Sequence, residues 1–451
     1  MRTAVVLFTR DLRVHDQPAL AAAVETADRV VPLFVLDPAV LERFGPPNRA
    51  AFLLDALRDL GDSLRARGGG LAVRKGDVVE EALRVAAETK AEAIFVSEDA
   101  SAYAHAREER LRRACDEARV DLRVLPGVTV VPPGDLAPAG ADHYRVFTPY
   151  WQQWRASPRR RLEPAPRRIE LPSRLRMGRL PALADLTSGA RSPALPRGGE
   201  REGRSRLARF LADGVSDYGR LHDDLAADAT SRLSPYLHFG CLSPLEVAER
   251  ASERPGAGSF VRQLCWRDFY TQLLAARPET SSEDYRDRGD RWRESPEELA
   301  AWKAGLTGYP IVDAGMRQLA QEGYMHNRAR LLVGSFLTKD LYLDWRLGAA
   351  HFFDLLVDGD VANNVGNWQW VAGTGVDTRP NRIFNPTLQA KRLDPRGDYV
   401  RRYVPELAGV EGGSIHEPWK LGLLRPADYP EPIVEHAEAV RRFRALRSGE
   451  E

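Results

Sequence analysis

Short apolar segments alternate with segments of helical periodicity through the first 130 residues of the chain. Five apolar segments, rich in Val, Leu, Ile and Phe, predict strands at residues 3–8, 30–36, 71–74, 93–96 and 122–125. Between the second and third strands, Phe52, Leu57 and Leu64 share one stripe of a predicted helix. Strands separated by helices indicate a five-stranded parallel sheet covered on both faces, in a Rossmann-like α/β domain.

The pattern changes at residue 131. Proline, glycine and arginine dominate the next 76 residues, where the aromatic cluster of Tyr150, Trp151 and Trp154 is expected to anchor an irregular linker. Helical spacing returns after residue 206, and seven of the nine tryptophans lie between residues 260 and 451. We therefore predict an α/β domain at 1–130, a linker at 131–206 and an all-helical domain at 207–451.

The 451 residues include 65 basic and 64 acidic ones, so the chain is not expected to coat nucleic acid indiscriminately. Residues 155–206 hold 14 arginines and only five acidic side chains, which leaves a localised basic face open. No apolar stretch approaches the roughly 20 residues of a membrane helix. The three cysteines and nine histidines form neither a disulfide nor a metal-binding pattern. These features predict a cytoplasmic protein that uses neither a membrane nor a metal.

The segment LVDGDVANNVGNWQWVAGTG at 356–375 combines carboxylates and amides with two indoles. Polar groups at this density are costly in a core unless each has a partner. Asp358 and Asp360 flank a glycine there, and Arg330 upstream is a candidate partner for Asp358, whose charge would be expensive to bury alone. A pocket for a polar, aromatic ligand is favoured over a surface loop.

Two further segments each allow a structural and a functional interpretation. Ser234 before Pro235 fits a helix cap, and the hydroxyls and backbone amides of TSRLS at 230–234 also fit a phosphate site. Trp266 beside Arg267 fits a helix with one buried indole and one exposed cation. The same two residues fit the stacking and phosphate-contacting pair that holds a flipped base.

Taken together, TSRLS, WRDFY, GYPIVDAGMRQL, MHNR, DGDVANNVGNWQW and RIFNP occur in this order along the chain. In this it resembles the photolyase and cryptochrome flavoproteins, most closely the class I cyclobutane pyrimidine dimer photolyases. The resemblance extends from the opening LFTRDLRVHDQPAL through HEPW at 416–419 and implies that the helical domain buries FAD. The implied cofactor-binding residues are Tyr218, Thr230, Ser231, Arg232, Leu233, Ser234, Arg330, Asp358, Gly359, Asp360 and Asn364.

In that family, reduced FAD excited by light donates an electron to a flipped-out pyrimidine dimer, the ring opens, and the electron returns. The resemblance implies that Asn364 faces the flavin N5, that Gln263 contacts the dimer, and that three tryptophans carry electrons from the surface to the flavin. The implied catalytic residues are Trp292, Trp345, Trp368, Asn364 and Gln263. The implied DNA-binding residues are Trp266, Arg267, Asn327, Arg328, Trp370 and Arg382.

Two positions depart from the pattern of the dimer photolyases. Gln263 stands where they usually carry Glu, and Leu331 where they usually carry Met, which leaves repair efficiency and the exact lesion open. An amide still forms hydrogen bonds, but it carries no charge and cannot act as an acid. Enzymes that repair six-four photoproducts place two histidines at the positions of Asn327 and Leu331, so that activity is not expected.

The alternative interpretation is a cryptochrome-type blue-light photoreceptor without repair activity. Repair is preferred, partly because plant receptors tend to carry Asp where this chain has Asn364. A second, antenna chromophore is expected in the α/β domain near Asn48, Arg49, Phe52 and residues 98–103, either a deazaflavin or methenyltetrahydrofolate. We expect UV-damaged DNA as the partner, no obligate protein partner, and a monomer.

Overall fold

The computed structural model describes residues 1–448, except for the side chains of Arg43, Phe44 and Ser448. One parallel sheet is built from β1 (Thr3–Phe8), β2 (Arg29–Leu36), β3 (Ala72–Lys75), β4 (Ala93–Ser97) and β5 (Asp121–Leu125). Its strand order is β3-β2-β1-β4-β5, so β1 lies at the centre, fully buried. Val5 of β1 is paired with Val31 on one side and with Ile94 on the other. The predicted parallel sheet is confirmed.

Helices connect the strands of this sheet: α1 (Pro18–Thr26), α2 (Pro38–Phe44), α3 (Pro47–Arg65), α4 (Val78–Thr89) and α5 (Ala102–Ala118). Their beginnings follow from capping chemistry. Asp77, for example, accepts hydrogen bonds from the backbone N–H groups of Val79 and Glu80 at the start of α4. The stripe of Phe52, Leu57 and Leu64 predicted for α3 is fully buried, as expected of a helix that covers the sheet.

The predicted linker is more ordered than its composition suggests. It contains α6 (Phe147–Ala156), a 3₁₀ turn at Leu183–Asp185 and α7 (Glu200–Arg209). An extended part of it is hydrogen-bonded to the α/β layer, where the Val73 N–H donates to the Met177 carbonyl at 2.7 Å. Tyr150 and Trp154 of α6 are buried, so the predicted anchoring by the aromatic cluster is confirmed for these two residues.

The remaining helices follow in the order α8 (Tyr218–Leu221), α9 (Ser234–His238), α10 (Pro244–Ser252), α11 (Gly258–Ala276), α12 (Pro296–Ala304), α13 (Pro310–Glu322), α14 (Asn327–Ser335), α15 (Trp345–Leu355), α16 (Val361–Ala372), α17 (Pro386–Leu393), α18 (Asp398–Tyr403) and α19 (His436–Ser448). A π-helical turn at Phe336–Asp340 continues α14. Among residues 207–448 the structure has no ladder-forming strand, which confirms the predicted helical character.

By its internal contacts the chain divides into two compact units. The first comprises Met1–Arg191, Pro196–Gly219 and Ser231–Pro278, and the second comprises Ser192–Leu195, Arg220–Thr230 and Glu279–Glu451. These bounds differ from the domain borders at residues 130 and 206, which stay a prediction, and residues 449–451 lie outside the described chain.

The core of the second unit is aromatic, with Trp302, Phe336, Trp345, Phe352 and Trp368 in one buried cluster. Its helices α15 and α16 approach so closely that a Cβ atom added at Gly348 would lie 2.2 Å from the Trp368 indole. Glycine is therefore required at that crossing by space rather than by backbone conformation.

A buried carboxylate fixes the segment that leads into α13. Asp313 is fully buried and accepts from the Thr307 N–H and hydroxyl, both at 2.7 Å, from the Gly308 N–H at 3.2 Å, and from the Tyr429 hydroxyl at 2.5 Å. Burial raises the pKa of Asp313, and the hydrogen bonds from Thr307 and Tyr429 oppose that rise. The carboxylate thus joins two segments that are more than a hundred residues apart in sequence.

We predict that Asp313→Ala lowers the free energy of unfolding by at least about 3 kcal/mol, because several buried donors lose their acceptor at once. Urea unfolding followed by circular dichroism measures the change. Asp354→Ala, at an exposed position of α15, is the matched control and should stay within about 0.5 kcal/mol of the unmodified chain. Equal stabilities for the two variants would contradict the role assigned to Asp313.

Candidate functional site

The second unit contains a partly buried ion pair between α14 and the loop before α16. The Arg330 guanidinium contacts both carboxylate oxygens of Asp358, at 2.9 and 3.1 Å, and its Nε donates to the Met325 carbonyl at 2.8 Å. The Asp358 side chain is 4% exposed and that of Arg330 is 24% exposed. The pairing predicted from the sequence is therefore present, and the guanidinium is fixed by two acceptors on different segments.

Thr230 lies close to this ion pair within the second unit. Its hydroxyl is 3.5 Å from the Tyr324 hydroxyl, and the Arg330 guanidinium lies over the Tyr324 ring, 5.3 Å from its centroid. Thr230, Tyr324, Arg330 and Asp358 thus form one connected polar cluster, in which sequence analysis had not singled out Tyr324. An isolated tyrosine carries no sequence signal for such a contact.

The start of α16 presents a row of polar side chains. Asp360 caps the helix by accepting from the Asn363 N–H at 2.9 Å, and it also accepts from the Asn363 side-chain amide. Gly359 is buried, and its N–H donates to the Leu356 carbonyl at 3.3 Å. One turn further along, the Asn364 amide nitrogen donates to the Ala349 carbonyl at 2.9 Å. Among residues 1–448 the Asn364 side-chain oxygen meets no donor, so it stays available to a ligand.

The three predicted electron-carrying tryptophans have different surroundings. Trp368 is buried against Phe352, and its indole N–H has no acceptor among the described residues. Trp345 is buried and donates its indole N–H to Asp284 at 2.8 Å. Trp292 is half-buried. Sequence analysis missed Asp284, because its partner lies 61 residues away and no local motif marks the pair.

The first unit carries the rest of the predicted cofactor set. Tyr218 is buried between aromatic rings, with its centroid 5.6 Å from that of Phe260. In the TSRLS segment, the Ser231 hydroxyl accepts from the Leu233 N–H at 3.4 Å, Leu233 is buried, and Arg232 has a left-handed backbone with φ of 50°. The cap interpretation of Ser234 is wrong, because Leu233 occupies the cap position of α9 and no side chain caps the helix.

The predicted DNA-binding residues fall on two surfaces, one in each unit. In the first unit, α11 places Gln263 in solvent and Trp266 at a half-buried position. Arg267 is only 13% exposed, and its guanidinium donates to the Val128 carbonyl at 2.7 Å and pairs with buried Asp268 at 3.5 Å. Its donors are thus largely committed to the protein itself.

In the second unit, Asn327 is exposed at the start of α14, and Arg328 beside it pairs with Asp223 at 2.5 Å. Trp370 is half-buried near the end of α16, and the exposed Arg382 guanidinium lies 5.2 Å from the centroid of its ring. A cation held over an indole offers a stacking surface and a phosphate contact side by side.

The described part of the chain contains no cluster of three or more His, Cys, Asp or Glu side chains arranged to hold a metal ion. In the same residues, every helix is too short or too polar to span a bilayer.

Comparisons with known proteins agree with this geometry. Residues 4–170 match the family model for DNA photolyase, and residues 260–448 match the FAD binding domain of DNA photolyase. The chain is 56% identical to the deoxyribodipyrimidine photo-lyase of Streptomyces griseus, over 99% of each chain.

Solved structures extend the likeness to the whole backbone. A bacterial class III photolyase from Agrobacterium tumefaciens is 34% identical with a TM-score of 0.93, over 100% of this chain and 98% of that one. An archaeal photolyase from Sulfolobus tokodaii, solved with two FAD molecules, is 33% identical with a TM-score of 0.88, over 99% of this chain and all of the other. The chain belongs to the photolyase and cryptochrome family. Its placement in class I stays a prediction.

We predict that Asp358→Ala lowers the free energy of unfolding by about 3–5 kcal/mol and lowers the content of bound FAD, because the variant leaves the Arg330 charge without its partner. Urea unfolding and flavin absorbance measure the two effects. Asp223→Ala removes the partner of Arg328 from a pair whose side chains are 33% and 34% exposed, and should cost less than about 1 kcal/mol. Full flavin occupancy with unchanged stability in Asp358→Ala would show that the pair is not required.

Proposed function

We propose that this chain is a deoxyribodipyrimidine photo-lyase, which uses light to split cyclobutane pyrimidine dimers in UV-damaged DNA. The observation that carries the proposal is the 56% identity with a photo-lyase over 99% of both chains, with no large segment left over on either side. Three features match the needs of this reaction: the polar cluster suits cofactor binding, the tryptophans suit electron transfer, and the two candidate surfaces suit DNA binding.

The side chains of the second unit fit FAD. The free side-chain oxygen of Asn364 is an acceptor for a flavin N–H, and its amide is oriented by the bond to Ala349. Asp358, held by Arg330, and Asp360 offer carboxylate acceptors for polar groups of the cofactor. We propose that these residues of the second unit bind FAD together with Gly359 and Thr230. In the first unit, Tyr218 and residues 231–234 stay predicted cofactor-binding residues.

FAD held by these residues would, when reduced and excited by light, supply the electron that opens the dimer. We propose that Trp368, Trp345 and Trp292 keep the cofactor reduced by passing electrons inward from the surface. An oxidised indole is a cation. At Trp368 this cation is disfavoured, because the indole is buried and its N–H has no hydrogen-bond acceptor among the described residues. At Trp345 the Asp284 carboxylate stabilises it, and at half-buried Trp292 solvent does. The stability of the indole cation thus rises from Trp368 to Trp292, which favours movement of positive charge outward and disfavours its return.

We propose that the dimer is held by aromatic stacking and polar contacts. The surface of the first unit offers Trp266 for stacking and Gln263 as a side-chain amide. The surface of the second unit offers Trp370 for stacking, Asn327 as a side-chain amide, and Arg328 and Arg382 as contacts to the strand. Exposed or half-buried positions support these roles for all six residues. Arg267 is not assigned a contact to the strand, because its guanidinium is bound by backbone carbonyls.

We propose that a second chromophore binds in the α/β part of the first unit, as a deazaflavin or as methenyltetrahydrofolate. Asn48, Arg49 and Phe52 are buried there, and one oxygen of the half-buried Glu98 carboxyl has no hydrogen-bond donor among residues 1–448. Burial, together with the charge of Asp135, raises the pKa of Glu98 to about 7. A ligand with a hydrogen-bond donor would satisfy that oxygen. We further propose that the protein acts in the cytoplasm as a monomer without an obligate protein partner.

We predict that Trp368→Phe and Trp292→Phe slow the photoreduction of bound FAD at least about tenfold without releasing it, because phenylalanine is much harder to oxidise than tryptophan. Absorbance of the flavin during blue illumination measures the rate. Trp419→Phe, which alters an indole packed on Tyr309, is the matched control and should leave the rate unchanged. Normal photoreduction in Trp368→Phe would mean that the path is misassigned.

We predict that Gln263→Glu raises the number of dimers repaired per absorbed photon, because a protonated carboxyl group can transfer its proton to neutralise developing negative charge, whereas an amide cannot act as an acid. Repair of a defined thymine dimer under counted blue photons measures the yield. Gln152→Glu, at an exposed position of α6, controls for an added negative charge. A yield that falls or stays constant would show that Gln263 is compensated or suited to another lesion. If the unmodified chain binds flavin but repairs no dimer, the photoreceptor interpretation takes precedence.

A further inference from the structure

Trp266 of α11 rests on an aromatic ring from the linker. The indole and the Phe147 ring are parallel, with centroids 3.7 Å apart and an angle of 2° between their planes. The Arg262 guanidinium lies over the same Phe147 ring, 5.1 Å from its centroid. Arg262 and Trp266 are one helical turn apart, so both side chains meet Phe147 from the same face of α11.

Phe147 is held in place by buried contacts between the linker and α11. The Gln272 amide accepts from the Tyr144 N–H at 3.0 Å and donates to the Tyr144 carbonyl at 2.9 Å, three residues before Phe147. Phe147 also meets Phe269 edge to face, with centroids 5.7 Å apart. The linker is therefore positioned to present this ring beneath Trp266.

The two arginines on this part of α11 have opposite surroundings. Arg267 is 13% exposed and is bound by the Val128 carbonyl and by Asp268. Arg262 is exposed, and among residues 1–448 its guanidinium meets no hydrogen-bond acceptor; the Phe147 ring alone orients it. A guanidinium that lies over a ring keeps its N–H groups at its edge, where they can bind a phosphate.

We propose that Arg262, Phe147 and Trp266 form one contact site for the DNA strand that carries the lesion. Arg262 donates to a backbone phosphate, and Phe147 is a positioning residue that fixes the orientation of the Trp266 indole. Arg267 holds the segment just before the linker, through the Val128 carbonyl, instead of contacting DNA. This inference rests on the proposed repair function and deepens it. Neither Arg262 nor Phe147 belongs to a sequence motif that indicates DNA binding.

The geometry separates two kinds of contribution to binding. A phosphate contact adds affinity for any DNA and releases about one counterion, so it changes the salt dependence of binding. Stacking by Trp266 acts on an unstacked base, so it contributes to the preference for damaged over intact DNA. Phe147 covers one face of the indole, and in this proposal the base stacks on the opposite face. Loss of Phe147 should therefore affect preference and spare salt dependence.

The first test uses the flavin-loaded full chain, a duplex with a single thymine dimer and the same duplex undamaged. Dissociation constants are measured at several salt concentrations. Arg262→Ala should weaken binding to both duplexes by a similar factor, about 3–10-fold, and should lower the slope of log K against log salt by about 0.9. Arg267→Ala should leave that slope unchanged. Arg112→Ala, at an exposed position of α5, is the control and should change neither quantity.

The second test replaces the ring of Phe147 while keeping an apolar side chain. Phe147→Leu should lower the ratio of the two affinities about 3–10-fold with an unchanged salt slope, and Phe147→Tyr should restore the ratio because it restores the stack. Bound FAD and the unfolding midpoint are recorded for each variant. The positioning role is overturned if the affinity ratio falls only in proportion to the loss of folded protein. It is also overturned if Phe147→Tyr does not restore the ratio.

Two further outcomes are distinguishable. If the unmodified chain prefers damaged DNA and Arg262→Ala keeps the full salt slope, or if Arg267→Ala loses the slope instead, the site proposed here is wrong while the repair function stands. If the unmodified chain binds both duplexes equally, the repair function fails and the inference fails with it.

Discussion

Buried carboxylates that accept several N–H groups hold the irregular parts of this chain in place. Asp268 of α11 accepts from the Val130 and Val131 N–H groups and from the Trp154 indole, all between 2.9 and 3.1 Å. Asp394 does the same for Tyr399 and Val400 at the start of α18. A charge in a core is tolerable only when donors surround it, so each carboxylate selects one arrangement of its loops. Burial raises the pKa of both groups, and these hydrogen bonds oppose the rise.

The linker is ordered because the buried carboxylate of Asp268 binds it to α11, the helix that presents Trp266. Asp268 is adjacent in sequence to Arg267 and close to Trp266, so the helix that presents the indole also organises the chain beneath it. The linker has few apolar residues of its own and could not form a core. It gains its order from contacts to α11, and in return it supplies the ring on which Trp266 lies.

The sequence was sufficient to predict the elements that have a local periodic signal. The five strands and the buried stripe of α3 are confirmed to within one residue at each strand end, because alternation of apolar strands and amphipathic helices is a local property. The Arg330–Asp358 pair was predictable because its members stand in dense polar motifs. Asp284 at Trp345 and Phe147 at Trp266 were not, since each pair joins distant segments that show no pattern at either position. The helix cap at Ser234 failed because α9 begins at Ser234 itself, with Pro235 as its second residue and Leu233 at the cap position.

The close crossing of α15 and α16 limits how this protein can evolve. No side chain larger than hydrogen fits at Gly348, because its Cβ would collide with the indole of Trp368. Any substitution there must move the Trp368 indole, which is proposed to carry electrons to the flavin, so it alters the electron path and the helix packing together. Changes in reduction rate that leave the fold intact must therefore arise at positions other than Gly348. Position 348 therefore tolerates no neutral substitution, and selection on the photochemistry has to act at other positions.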